Sequence, residues 1–153
     1  MEIERKFLVA RPPDGLERHR SEPIGQGYLA IGNEGEEVRL RKLGERTFLT
    51  VKRGRGEVRT EQEAALEPDQ FDVLWPLTEG RRVFKTRHWI PLGDLEIELD
   101  VYGGELEGLV TAEIEFESEA HADAFEPPSW LGEDVTDDDR YKNESLATGG
   151  LPR

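Results

Sequence analysis

Leu95-Glu96-Ile97-Glu98-Leu99-Asp100-Val101-Tyr102 decides the fold class. Leu95, Ile97, Leu99 and Val101 fall on one side of an extended chain, and Glu96, Glu98 and Asp100 on the other, because successive strand side chains alternate. Residues 111–117 repeat the pattern, with Ala112, Ile114 and Phe116 set against Glu113, Glu115 and Glu117. The start follows it loosely: Ile3, Phe7 and Val9 oppose Glu2, Glu4 and Lys6, and Arg5 is out of step. Val38-Arg39-Leu40-Arg41 alternates as well, and Phe48-Leu49-Thr50-Val51-Lys52 has the β-branched and aromatic content of a strand. Further strands are predicted over residues 23–31, 58–66 and 82–90. About eight short strands at regular spacing indicate an antiparallel sandwich or barrel. Turn residues separate them: Gly32-Asn33-Glu34-Gly35, Arg53-Gly54-Arg55-Gly56 and Gly103-Gly104.

Three short helices are predicted over residues 68–77, 119–125 and 137–147. Thr136 is the expected N-cap of the third, with Asp137, Asp138 and Asp139 at the favourable end of its dipole. One domain is expected over residues 1–148, with a frayed tail at 149–153. The chain has 153 residues, enough for one ordinary core. It has no cysteine, which excludes disulfides, thiolate metal sites and cysteine nucleophiles. The sequence begins without an apolar leader and has no stretch long enough to span a bilayer, so a cytoplasmic location is expected. Its formal charge of −14 argues against nucleic acid or anionic membrane as partners.

The charged faces carry the functional signal. A single alternating strand usually wets its polar side. Here charge recurs on nearly every strand and is segregated by sign. Glu96, Glu98 and Asp100 share one face, as do Glu113, Glu115 and Glu117; Arg39 with Arg41, Lys52, and Lys85 with Arg87 are the cationic counterparts. Rows of like charge repel, so a surface selected for stability alone would mix them. The opposite faces are apolar and need covering. A mainly β, α+β architecture answers both demands: an eight-stranded antiparallel closed β-barrel with a charged interior and helices outside. Acidic rows hold hard divalent cations through oxygen, and Arg and Lys bind phosphoryl oxygens. The ligand that needs both is a metal-bound polyphosphate.

Glu2-Ile3-Glu4-Arg5-Lys6 resembles the Glu-x-Glu-x-Lys signature of the CYTH domain, or triphosphate tunnel metalloenzyme, family. The likeness continues in order through Gln26-Gly27-Tyr28-Leu29, Arg39-Leu40-Arg41, Leu49-Thr50-Val51-Lys52, Arg59-Thr60-Glu61-Gln62-Glu63 and Lys85-Thr86-Arg87. It ends with Glu98-Leu99-Asp100-Val101-Tyr102, Ala112-Glu113-Ile114-Glu115-Phe116, and a stretch from Val135 to Asn143 similar to a C-terminal plug helix. It therefore covers essentially the whole chain.

The resemblance implies a tunnel that binds a small triphosphate with Mg²⁺ or Mn²⁺. Glu2, Glu4, Glu113 and Glu115 would be the metal carboxylates, with Asp100, Glu98, Glu61 and Glu63 in support. Lys6, Arg39, Arg41, Lys52, Lys85 and Arg87 would grip the phosphates, joined by Arg140 and Lys142. Glu61 and Glu63 have a second reading as counter-charges for the Arg pair, and Glu96 and Glu117 as wet barrel ends. His19, His88 and His121 fall outside the acidic motifs. The expected chemistry is attack of metal-polarised water on a terminal phosphorus, with Lys85 as a base assisted by Tyr28. Tripolyphosphate is the first choice of substrate. Thiamine triphosphatase, nucleoside triphosphatase, class IV adenylate cyclase and a non-catalytic polyphosphate-binding module are the alternatives.

Overall fold

Eight antiparallel strands make one sheet in the order β1-β8-β7-β6-β2-β3-β4-β5. They are β1 (Ile3–Leu8), β2 (Arg20–Ile31), β3 (Glu37–Leu43), β4 (Arg46–Arg55), β5 (Val58–Leu66), β6 (Arg82–Leu92), β7 (Leu95–Tyr102) and β8 (Val110–Phe116). The computed structural model describes residues 3–55 and 58–152, so Glu2 lies outside the described residues. The sheet curls until all eight strands contribute to one internal cavity.

Alternation sends the apolar rows outward, where they are covered. Phe7, Ile90, Ile97, Leu99, Ala112, Ile114 and Phe116 form a continuous core on the outer face of β1, β8, β7 and β6. Helix α2 (Glu119–Ala124) and the segment after it lay Ala122, Phe125, Trp130 and Leu131 on that core. Arg5 obeys the alternation after all. It lies on the outer face, 5.0 Å from the Phe7 ring centroid, and pairs with Asp134. Helix α1 (Pro68–Leu74) begins with proline, its first turn held by Glu67 N–H donating to Gln70 at 2.9 Å. It tightens at Trp75–Thr78 into a 3-10 turn that accommodates Pro76. Thr78 of that turn packs on Gly27, where a Cβ would come within 2.5 Å of its hydroxyl.

Three features differ from the sequence expectation. The barrel is not closed by strand pairing: among the described residues, β1 and β5 are the two ends of the sheet. The outer edge of β1 is taken instead by an extended segment. Gly132 N–H donates to Leu8 O at 2.7 Å, Leu8 N–H to Glu133 O at 2.8 Å, and Val135 N–H to Lys6 O at 2.8 Å. Gly132 permits this approach, since a Cβ there would lie 2.7 Å from Leu8 O. Arg53 and Arg55 also lie in β4 rather than in a turn, because the β4–β5 ladder continues to Arg55 opposite Val58.

The helix expected over 137–147 is broken in two. Thr136 cannot cap it, because its hydroxyl already accepts from Lys6 N–H at 3.0 Å and donates to Asp134. Asp138 accepts from Arg140 N–H and starts a 3-10 turn at Asp139–Tyr141. Lys142 is extended, and helix α3 follows at Asn143–Gly149. Leu146 and Ala147 of α3 enter one end of the barrel and pack with Tyr28, Val83, Tyr102 and Leu106. No described helix is long and apolar enough to cross a membrane.

Candidate functional site

The inward faces enclose a cavity of about 380 Å³. Its acidic side comes from three neighbouring strands. Glu4 on β1 stands opposite Glu115 on β8, and Glu113 on β8 stands between Lys6 on β1 and Glu98 on β7. Lys6 Nζ lies 3.6 Å from Glu113 Oε1 and donates to Tyr141 O at 2.5 Å. Burial and the nearby carboxylate of Glu113 raise the pKa of Glu98 above its ordinary value, against the pull of Arg87 at 2.7 Å.

The cationic side is β3 and β4, with Arg39, Arg41 and Lys52 in the lining, and Arg87 from β6. Arg39 is held by Glu37 at 3.1 Å and Glu61 at 3.3 Å. Arg41 differs. Its Nε donates to Gln26 Oε1 at 2.9 Å, and among the described residues it has no carboxylate in ion-pair contact. Burial, then repulsion from Arg39 and Arg87, lowers its pKa. It is a half-buried charge in the cavity lining with no ion-pair partner among the described residues, placed to meet an anion there. Gln26 is wholly buried and also donates to the Tyr28 hydroxyl at 2.7 Å, so one amide orients two cavity-lining residues. Burial, with Glu37 nearby, raises the pKa of Tyr28.

Beneath this lining sits a buried charge cluster. Asp100 accepts from Arg87 Nε at 2.8 Å and Nη2 at 3.0 Å, and Lys85 Nζ lies 2.7 Å from its Oδ2. Burial would raise the pKa of Asp100, but the two cations outweigh it and bring it down to about 2. Lys85 moves down mainly through burial, with Asp100 pulling against that and Arg87 adding to it. The two directions are compatible: Asp100 holds two cations with one charge, so its ionised form is secured while that of Lys85 is not.

The structure therefore brings together Glu4, Lys6, Tyr28, Arg39, Arg41, Lys52, Glu61, Arg87, Glu98, Glu113 and Glu115 around one cavity. It places four predicted residues elsewhere. Asp100 and Lys85 lie behind the lining, bound to each other. Glu63 is exposed on the edge strand and accepts from Thr50 Oγ1 at 3.4 Å. Arg140 is outside the lining and pairs at 2.6 Å with Asp138, which is in it, while Lys142 two residues on borders the cavity and pairs with Asp139 at 2.9 Å. Glu96 and Glu117 are exposed, away from the lining. Sequence reasoning missed Glu37, whose place two residues before Arg39 on an alternating strand was the available signal. It also missed Thr136, Asp138, Tyr141 and Glu144, which belong to irregular or short helical segments without a period to read.

Glu4, Glu98, Glu113 and Glu115 can be tested as a metal-binding set. They offer oxygen donors only, on adjacent strands, and no histidine is among the residues lining the cavity. Facing carboxylates repel across a sheet; Lys6 pairs with Glu113 and Arg87 with Glu98. Oxygen donors of this kind are the type that a hard divalent cation takes. Among the described residues no three His, Cys, Asp or Glu side chains stand close enough together to hold an ion as they are.

The family model of the CYTH domain matches residues 1–148. An inorganic triphosphatase of Nitrosomonas europaea is 52% identical over 147 residues, covering 95% of this chain and 96% of that protein. An inorganic triphosphatase of Acetivibrio thermocellus is 34% identical over 151 residues, covering 95% and 92%. A crystal structure of an inorganic triphosphatase superposes with a TM-score of 0.80 at 47% identity, covering 99% of this chain and 97% of that one.

Proposed function

This chain belongs to the CYTH domain family, and from that premise we propose that it hydrolyses inorganic tripolyphosphate to pyrophosphate and phosphate with a divalent metal ion. The observation that carries the proposal is the polarised cavity. Arg41, half-buried and without a carboxylate in ion-pair contact among the described residues, lies with Arg39 and Lys52 across from a carboxylate bank on β1, β7 and β8. A polyanion satisfies the first side, and a cation travelling with it satisfies the second. Both curated relatives carry the name inorganic triphosphatase, which supports the same substrate here.

Arg39, Arg41 and Lys52 would bind the phosphate chain, and Arg87 and Lys6 would neutralise charge at the junction with the carboxylates. Glu4, Glu113, Glu115 and Glu98 would hold Mg²⁺ or Mn²⁺. When bound, that ion supplies Lewis acidity to a phosphoryl oxygen and acidifies water. Water attacks a terminal phosphorus, the bond to the bridging oxygen breaks, and pyrophosphate leaves carrying the charge that the arginines face. Lys85 lies behind the lining on Asp100, so it would serve the reaction by holding Asp100 and, through it, Arg87, and the proton of the attacking water would pass to solvent in the cavity.

The test is phosphate release from tripolyphosphate, ATP and thiamine triphosphate, each with Mg²⁺, Mn²⁺ or a chelator. Metal-dependent release fastest from tripolyphosphate is the expected result. Tight tripolyphosphate binding without turnover of any of the three would replace the enzyme with a polyphosphate-binding module.

A further inference from the structure

Arg5 lies between two proposed site residues, Glu4 and Lys6, yet its side chain points to the other face of the sheet. There it is more heavily engaged than an ordinary surface arginine. Its Nε and Nη2 donate to Asp134 Oδ2 at 3.1 and 3.0 Å, its Nη1 donates to Ala122 O at 3.0 Å, and its guanidinium lies 5.0 Å from the Phe7 ring centroid and 6.0 Å from that of Phe125. Asp134 passes the contact inward. Its other oxygen accepts from Thr136 N–H at 2.9 Å and from the Thr136 hydroxyl, and that hydroxyl accepts from Lys6 N–H.

Thr136 begins the irregular segment 136–142 that forms the cavity wall beside β1, where strand pairing does not close the barrel. Lys142 and Tyr141 border the cavity there, the Lys142 amine pairing with Asp139 at 2.9 Å until a phosphate competes for it, and Lys6 Nζ holds the Tyr141 carbonyl from inside. The wall is thus fixed to β1 from both faces, by Lys6 within and by Arg5 without.

We infer that Arg5 and Asp134 are positioning residues of the active site: from outside the barrel they set the wall that carries Lys142 against the substrate. The inference rests on the proposed tripolyphosphatase activity. A planar, bidentate guanidinium fixes direction as well as distance, which a lysine at the same place would not. Small displacements of binding groups are costly in rate and affinity.

The test compares wild type, Arg5→Met, Asp134→Asn, Lys142→Ala and the double variants Arg5→Met/Asp134→Asn and Arg5→Met/Lys142→Ala, all assayed well below their melting temperatures. Arg5→Met is expected to raise KM for tripolyphosphate about tenfold while kcat changes by less than about threefold. Asp134→Asn should do the same, and the two should not add. In the Lys142→Ala background the Arg5→Met effect on KM should shrink to within about twofold, because the group being positioned is gone. An unchanged KM in Arg5→Met overturns the inference, as does a full, multiplicative effect on top of Lys142→Ala. If wild type turns over no tripolyphosphate, the proposed activity has failed, and hydrogen exchange over residues 134–142 judges the latch alone. Faster exchange in Arg5→Met sustains it, and unchanged exchange removes it.

Discussion

Arg87 grips both carboxylate oxygens of Asp100, at 2.8 and 3.0 Å, in a fully buried pocket that Lys85 shares. Asp100 is thereby the anchor of two cations, with both oxygens occupied. Its folded pKa of about 2 lies below the ordinary 3.8. Its ionisation therefore contributes to stability in full above about pH 4 and loses that contribution as pH falls towards 2, on the order of 2 kcal/mol in all. Asp100→Asn should destabilise the fold at pH 7 by about 3–5 kcal/mol, because buried Lys85 loses its partner and Arg87 keeps only Glu98. It should also flatten the loss of stability between pH 4 and 2. Urea unfolding across that range measures both; parallel acid profiles for variant and wild type would contradict the assignment.

Lys85→Met removes one of the two cations on Asp100 while keeping the length of the side chain. Because Lys85 lies behind the lining, kcat at saturating tripolyphosphate should stay within about tenfold of wild type, with a lower melting temperature because Asp100 keeps only Arg87. A loss of more than about 10²-fold in kcat by a folded variant would put Lys85 in contact with the reacting water.

Arg41→Ala should raise KM and lower kcat together, with about 10²–10³-fold lost from kcat/KM. Because Arg41 is half-buried and has no ion-pair partner among the described residues, the free protein should be no less stable for losing its charge. Steady-state kinetics and thermal melting separate the two effects, and a large drop in melting temperature would mark Arg41 as structural instead.

Glu4→Gln preserves shape and removes one charge from the carboxylate bank. Turnover should lose its response to added Mg²⁺ or Mn²⁺, and calorimetric metal affinity should fall with it. A variant titrating with metal as wild type does would move the metal site off β1.

Arg140 and Lys142 were equivalent in the sequence and are both exposed and ion-paired in the structure, to Asp138 at 2.6 Å and Asp139 at 2.9 Å, but only Lys142 borders the cavity. Arg140→Ala should leave KM within about twofold of wild type, as removal of exposed pairs generally does little. Lys142→Ala should raise KM several-fold. Equal effects from the two would show that the wall moves on substrate binding.

Periodicity made the strands legible. The rows at Leu95–Tyr102 and Val110–Phe116 could be read because an apolar core on one face enforces alternation on the other. Glu4, Glu98, Glu113, Glu115, Arg39, Arg41 and Arg87 followed directly, since strand position fixes which way a side chain points. The same logic could not distinguish a charge that reaches the cavity from one consumed beneath it. Asp100 and Glu98 are two residues apart on one face, but only Glu98 is in the lining. Residues 132–142 were illegible for a different reason. Their conformation is set by the free edge of β1 and by the Lys6 and Arg5 contacts, none of which leaves a local pattern in the segment itself.

That dependence on β1 has a consequence for biosynthesis. Arg5 and Asp134 meet across 129 positions, and Lys6 and Tyr141 across 135. The amino-terminal strand is also paired with β8, the last strand of the chain. While the ribosome is still making the middle of the protein, β1 has no partner, and the carboxylates it carries have nothing to face. The chamber can assemble only after residues as far as Tyr141 have emerged, through contacts of long sequence separation, which form slowly.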